Sequence, residues 1–521
     1  MKRISNVHKM LEERRNLRFL LIFQGIVVGI LVAIVIVLNR LAINKLSVVF
    51  KNVYIWARGG IFNTIVLFIL LAFLGYITGL MVKKEPMISG SGIPQVKGIL
   101  QRKLKINWLR VLILKFVGGV IALSAGLSLG REGPSVQIGG AIGEGFSKAS
   151  DKASMRKGYL ITSGASAGLA AAFNSPISGV MFALEELHRS FSPLVLLPAM
   201  AASIMADFIA KQFLGMDPAL NFRGMSVIPL NFYWTLIILG ILVGAISTFF
   251  TKGIVVFQNL YGKIKKVPIE FKVMIPFIIT GIAGLISPML LGGGHEIIME
   301  LETTNMSIPT LIIIFIVKFI LLLICFGSGA PGGIFLPMLL LGSLLGDIFG
   351  IAICNITNIP QEYILNFVIF AMAGYFSAVV RAPITGLVLI TEMTGSFEHL
   401  LSISIVVFIS YLTAELLKSE PVYEVLLERT LKKFGVLRNT GSINKVLAEV
   451  AVEMGSLVDG KMIKDISWPC DCLLVSVKRG EKEIIPRGTV EILSGDYLIA
   501  LADAEVAAEV VEKLKIMTLA E

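Results

Sequence analysis

The chain has 521 residues, 55% of them hydrophobic and 16% charged, with a mean hydropathy of +0.83. A soluble protein with a polar exterior could hardly carry that composition, so the sequence describes a polytopic membrane protein. Net charge is +11, but residues 443–521 hold 9 Lys and Arg against 14 Asp and Glu. The basic excess therefore belongs to residues 1–442, where it flanks apolar runs and forms no single exposed patch, which argues against a nucleic-acid partner.

Lys2, Arg3, Lys9, Arg14, Arg15 and Arg18 precede the first apolar run, which places the N-terminus in the cytoplasm by the positive-inside rule. Residues 1–18 read as a short, basic amphipathic helix and Phe19–Leu38 as a first span, too long for the apolar core of a cleavable signal. Ile61–Val82 makes a second span. The stretch Ile88-Ser89-Gly90-Ser91-Gly92-Ile93-Pro94 is a glycine-rich turn with proline where a helix begins; no strand precedes it and its glycine spacing fails the dinucleotide fingerprint.

Trp108–Ala125 is a span interrupted by Lys115. It is followed by Leu129-Gly130-Arg131-Glu132-Gly133-Pro134-Ser135, which opens a helix reaching about Phe146. Glu132 thus puts a carboxylate at a helix start inside a very apolar chain. A helix N-terminus supplies free N–H groups and partial positive charge, so Glu132 either complements that dipole or acts as an anion held there in competition with another. Tyr159–Ala172 and Ser175–Leu187 are short helices split at Asn174-Ser175-Pro176, the second ending in Glu185-Glu186. Segments too short to cross a bilayer are tolerated at membrane depth only against protein or a water-filled path. Further spans fall near Leu194–Ile209, Phe232–Phe257, Val273–Leu291, Thr310–Cys325, Ile364–Phe376, Pro383–Met393 and Leu401–Leu417, and Gly327–Pro337 is another glycine-rich helix start. Cys325, Cys354, Cys470 and Cys472 offer neither a disulfide framework nor, at Cys470 and Cys472, a zinc site; no metal or other cofactor is expected.

The two halves resemble each other. At an offset of 203 residues, which aligns Pro134 with Pro337, Lys115-Phe116 falls on Lys318-Phe319, Gly126 on Gly329, Gly130 on Gly333, Gly139 on Gly342, Gly143 on Gly346 and Glu132 on Phe335. At an offset of 207, Pro176-Ile177 meets Pro383-Ile384, Gly179 meets Gly386 and Glu185 meets Glu392. Two divergent copies of one helix-break pattern point to a transporter with its binding site at the repeat interface.

After Leu417 the character changes. Pro421–Leu437 reads as a last helix and residues 438–444 as a polar linker. The remainder, 445–521, reads as a small α+β domain with strands at Ala448–Val452, Cys472–Val477 and Tyr497–Leu501 and helices at Leu457–Ile466 and Ala504–Leu514.

Taken together, Gly-Ser-Gly-Ile-Pro at 90–94, Gly-Arg-Glu-Gly-Pro at 130–134 and Gly-Ile-Phe-Leu-Pro at 333–337 resemble the CLC family of chloride channels and chloride/proton exchangers. The resemblance implies an all-α polytopic domain over 19–437, with inverted repeats at about 61–210 and 232–417, working as a homodimer with one pore per subunit. It implies that the Ser91 hydroxyl, the backbone N–H groups of Ile334 and Phe335, and the Tyr423 hydroxyl bind chloride. It makes Glu132 the gating carboxylate and Glu186 the inner proton-transfer residue, with Glu185 a solvated helix-end glutamate. Family channels commonly lack an acid at the Glu186 position, so the implied function is H+/Cl− antiport in the cell membrane, and the protein is not an enzyme. The alternatives are a voltage- or proton-gated chloride channel and a potassium transport subunit. The tail, in Met454-Gly455-Ser456, Ile485-Pro486-Arg487-Gly488 and Gly495-Asp496, resembles the C-terminal subdomain of the regulators of potassium conductance. That implies a cytoplasmic regulatory domain with a small, nucleotide-like ligand or a domain that only stabilises the dimer.

Overall fold

The computed structural model describes residues 2–150, 157–220, 222, 225–304, 306–395, 397–436, 445–469, 472–480, 482–503 and 506–519; the expected linker at 438–444 and Cys470 lie outside them. Two compact units result, Met1–Val436 and Leu437–Glu521. The first is helical: α1 (Lys2–Ala57), α2 (Ile61–Lys84), α3 (Ile93–Leu100), α4 (Trp108–Ser124), α5 (Glu132–Ala149), α6 (Lys157–Phe173), α7 (Pro176–Phe182), α8 (Pro193–Leu214), α9 (Tyr233–Lys263), α10 (Ile269–Ile286), α11 (His295–Thr303), α12 (Ile308–Gly327), α13 (Phe335–Ile356), α14 (Ile364–Val380), α15 (Pro383–Thr394), α16 (Leu400–Leu416) and α17 (Val422–Lys433). Among the described residues eight helices are long and apolar enough to cross a membrane, as a multi-pass protein requires.

The sequence expectation of a separate helix over 1–18 does not hold, because α1 runs unbroken to Ala57. It contains no proline, and its Gly25 and Gly29 serve a helix crossing: a Cβ on them would meet the backbone oxygens of Pro198 and Ala202 at 2.5 and 2.4 Å. Elsewhere proline sets the starts, lying in the first turn of α3, α5, α7, α13 and α15, where its missing N–H costs nothing.

The repeat is visible as shared contacts. Lys115 donates to the Ile88 and Gly90 carbonyls (2.8 and 2.6 Å), and its counterpart Lys318 to those of Leu290 and Gly292 (3.1 and 2.7 Å). The halves also exchange bonds. The Gly90 N–H donates to Gly329 C=O at 3.4 Å, and the Gly292 N–H to Gly126 C=O at 2.7 Å. Glu185 caps α15 through Ile384 N, Thr385 N and Thr385 Oγ1 (3.2, 2.7 and 2.7 Å), while Glu392 caps α7 through Ile177 N, Ser178 N and the Ser178 hydroxyl. Such reciprocity is what a pseudo-two-fold axis between the copies produces. It also corrects the reading of Glu185 as a solvated helix end.

The second unit is an antiparallel sheet ordered β1–β4–β2–β3, from β1 (Lys445–Ala451), β2 (Cys472–Arg479), β3 (Lys482–Ile484) and β4 (Asp496–Asp503), with α18 (Ala507–Thr518). Val450, Val477, Leu498, Ala500, Val510 and Leu514 form its core. The helix expected over Leu457–Ile466 is absent; Gly460 at φ +73° interrupts it and only a 3-10 turn at Ile463–Asp465 remains.

Candidate functional site

Three glycine-rich turns meet where α3, α5 and α13 begin. Gly130 and Gly333 exchange backbone bonds at 2.7 and 2.6 Å, and the Gly332 N–H donates to Gly90 C=O at 3.1 Å. Gly133 sits so close to Ser91 that a Cβ would lie 2.7 Å from the Ser91 carbonyl oxygen, so only glycine lets α5 approach α3 this far. The first N–H groups of a helix have no intrahelical acceptor and carry about half a positive charge. Three such ends at one point make an anion-holding environment from neutral groups.

Glu132 is fully buried in this junction, and among the described residues no side chain hydrogen-bonds either carboxyl oxygen. The N–H of Leu336 in the first turn of α13 faces the carboxyl, and the Arg131 and Arg40 guanidiniums lie within electrostatic reach of it. Ser91 is buried and accepts from Ile93 N at 3.2 Å, which leaves its own hydroxyl proton to donate. Ile334 caps α13 and Phe335 opens it, so their N–H groups belong to the buried helix end that has no intrahelical acceptor. The Phe335 ring packs on Phe376, Phe173 and Phe182 at centroid distances of 4.6, 5.2 and 6.0 Å, and Phe182 in turn meets Tyr423 at 6.3 Å. Tyr423 is fully buried, its hydroxyl has no hydrogen-bond partner among the described residues, and it is within electrostatic reach of both Glu132 and Glu186.

A cavity of about 360 Å³ reaches Ser91 past Lys272, Arg429 and Lys433. Another of about 480 Å³ reaches Gly130, Arg131 and Leu336 past Arg40 and Lys51. They share no lining residue; Ser91 lines the first, and Gly130 and Arg131, which precede Glu132, line the second.

Glu186 stands apart from the junction. Past Phe182, α7 continues as a π turn over Ala183–His188, which aims Glu185 at α15 and Glu186 at the Lys97 ammonium, 2.7 Å away. The sequence reading missed Lys97, Glu424 and Arg40. Lys97 did carry a signal, a lone cation in the apolar run Ile93–Leu100, of the same kind that marked Glu132.

Fold and site together define a two-repeat membrane protein whose broken helices converge on a point where a carboxyl is buried among helix N-termini. A family model described as voltage gated chloride channel matches residues 74–415, and one described as TrkA-C domain matches 447–515. The H(+)/Cl(-) exchange transporter ClcA of Vibrio parahaemolyticus is 36% identical over 432 residues, covering 80% of this chain and 91% of the relative. The protein of the same name from Salmonella typhi is 39% identical over 375 residues, covering 70% and 78%. A slow cyanobacterial Cl-/H+ antiporter superposes with a TM-score of 0.76 at 32% identity, covering 80% of this chain and 99% of that one. A eukaryotic CLC transporter shares the fold, with a TM-score of 0.68 at 21% identity. The chain belongs to the voltage-gated chloride channel, or CLC, family and carries a TrkA-C domain.

Proposed function

We propose that the protein exchanges chloride for protons across the membrane, with Glu132 as the gating and coupling carboxyl and Glu186 as the inner proton-transfer residue. The observation that carries this reading is the placement of Glu132: a fully buried carboxyl with no side-chain hydrogen bond among the described residues, facing the first turn of α13 where the three glycine-rich turns meet. Ionised, it is itself the anion at that helix end. Protonated, it loses the attraction of the N–H groups and yields the place to chloride. The Ser91 and Tyr423 hydroxyls and the Ile334 and Phe335 N–H groups then supply several modest neutral donors, which bind a weakly hydrated monovalent anion without holding it as a full cation would. A second buried carboxyl, Glu186, gives protons a relay that the anion does not use, and the relatives named as exchangers support the same reading.

The protein works in the cell membrane as a homodimer with both termini in the cytoplasm; the basic N-terminal run and the family support this. The C-terminal unit binds a small, nucleotide-like ligand and tunes transport, a reading supported by the TrkA-C match. The testing experiment is the reversal potential of the protein reconstituted in planar bilayers. Under symmetric chloride it should move when pH is changed on one side only; a potential that follows chloride alone would make the protein a channel.

A further inference from the structure

Lys97 has no part in that scheme, yet it is fully buried in α3. Its ammonium lies 2.7 Å from Glu186 Oε1 and 2.9 Å from Glu424 Oε1, and Arg189 Nη2 reaches the same Glu424 oxygen at 2.5 Å. The four side chains form a line that starts at Glu186, 3% exposed, passes through Lys97 and Glu424, 28% exposed, and ends at Arg189, 52% exposed. It runs from the interior to solvent. The π turn builds one end of it by turning Glu186 onto Lys97, and Arg189, in the left-handed region at φ +54°, closes that turn and builds the other.

A buried ammonium left without a carboxylate is strongly destabilising. Lys97 has two, so Glu186 can take up a proton while Lys97 keeps Glu424. We propose that Lys97 is the positioning residue of the inner proton step, its ammonium shifting from Glu186 to Glu424 as a proton from cytoplasmic water binds the Glu186 carboxylate. The ammonium keeps its own protons throughout, and it returns to Glu186 when that proton moves inward. This rests on the reading of Glu186 as the inner proton carboxyl. The charged and titratable groups that face Glu186 are Lys97 from α3, Glu424 and Tyr423 from α17, and Arg189 at the end of its own turn; His188 pairs instead with Thr162 of α6 at 2.9 Å.

The arrangement fixes opposite signs for its two arms. An ammonium beside a carboxylate favours the ionised form and a second carboxylate disfavours it. In proteoliposomes, the internal pH at half-maximal chloride-driven proton flux should therefore rise by about one unit or more in Lys97→Gln, fall in Glu424→Gln, and return toward the original value in Lys97→Arg. Chloride flux read in the same vesicles reports that each variant is folded. Should Lys97→Gln fail that check, the downward shift in Glu424→Gln decides alone. Unshifted midpoints in folded Lys97 and Glu424 variants, with Glu186→Gln losing its proton flux, would overturn the inference and leave the reading of Glu186 standing. Full proton flux in Glu186→Gln would overturn both.

Discussion

Glu185 and Glu186 are neighbours whose side chains do unrelated things, and the difference is geometric. Glu185 reaches the first turn of α15 and accepts two backbone N–H groups and a hydroxyl, the work of a capping carboxylate. Glu185→Ala should lower stability by about 1–2 kcal/mol, seen as a lower melting temperature in detergent, with the ratio of protons to chloride unchanged. Glu186→Gln should do the converse, keeping chloride flux and losing proton flux; proton uptake by vesicles separates the two. The sequence picked Glu186 out of the pair through a family motif. It could not show the work of Glu185, because the backbone groups it caps are 199 and 200 residues away and no local pattern records them.

Among elements, the repeat was legible because close crossings leave a mark in composition. Gly139 and Gly143 let α5 lie against α6, where a Cβ would meet the backbone oxygens of Gly164 and Leu160 at 2.0 and 2.2 Å. Their counterparts Gly342 and Gly346 do the same for α13 against α14, at 2.8 Å from Met372 Cα and 2.3 Å from Phe367 O. Gly143→Ala should destabilise by about 1–3 kcal/mol through overpacking. Gly119→Ala in α4, where a Cβ meets nothing within 4 Å, should be neutral or stabilising by up to about 1 kcal/mol, and melting temperatures of the two variants test the contrast. Other elements left weaker marks. The unbroken length of α1 is not legible because its charged N-terminal stretch and apolar span look like separate segments when only the hydrophobic run is counted. The nine-residue α11 is short and part-exposed, with too little periodicity to stand out.

At the scale of the whole molecule, a membrane unit and a sheet unit are stabilised differently. In the C-terminal unit, Asp496 is buried and takes a bidentate bond from Arg479, both contacts at 2.7 Å, and one from Leu493 N at 2.9 Å. Burial pushes its carboxyl up, but the Arg479 hydrogen bonds, the Leu493 N–H and the Arg479 charge together hold it below the usual aspartate value of 3.8. A depressed folded-state value means that the contribution is fully present above about pH 4 and is lost as pH falls through the folded value. Asp496→Asn should cost about 2 kcal/mol, less than full burial of both partners would give because Arg479 is partly exposed, and should flatten the acid limb of the unit's urea midpoint, followed by limited proteolysis of the full chain. Truncation after Leu437 should leave transport intact if this unit only tunes it. In the membrane unit, the proposed role of Glu132 is to couple the two ions. It is tested most directly by chloride-driven proton uptake into proteoliposomes holding either the original chain or Glu132→Gln. The original chain should drive protons against their gradient, and the variant should pass chloride with no proton uptake. Undiminished uphill uptake in Glu132→Gln, or none in the original chain, would contradict the account.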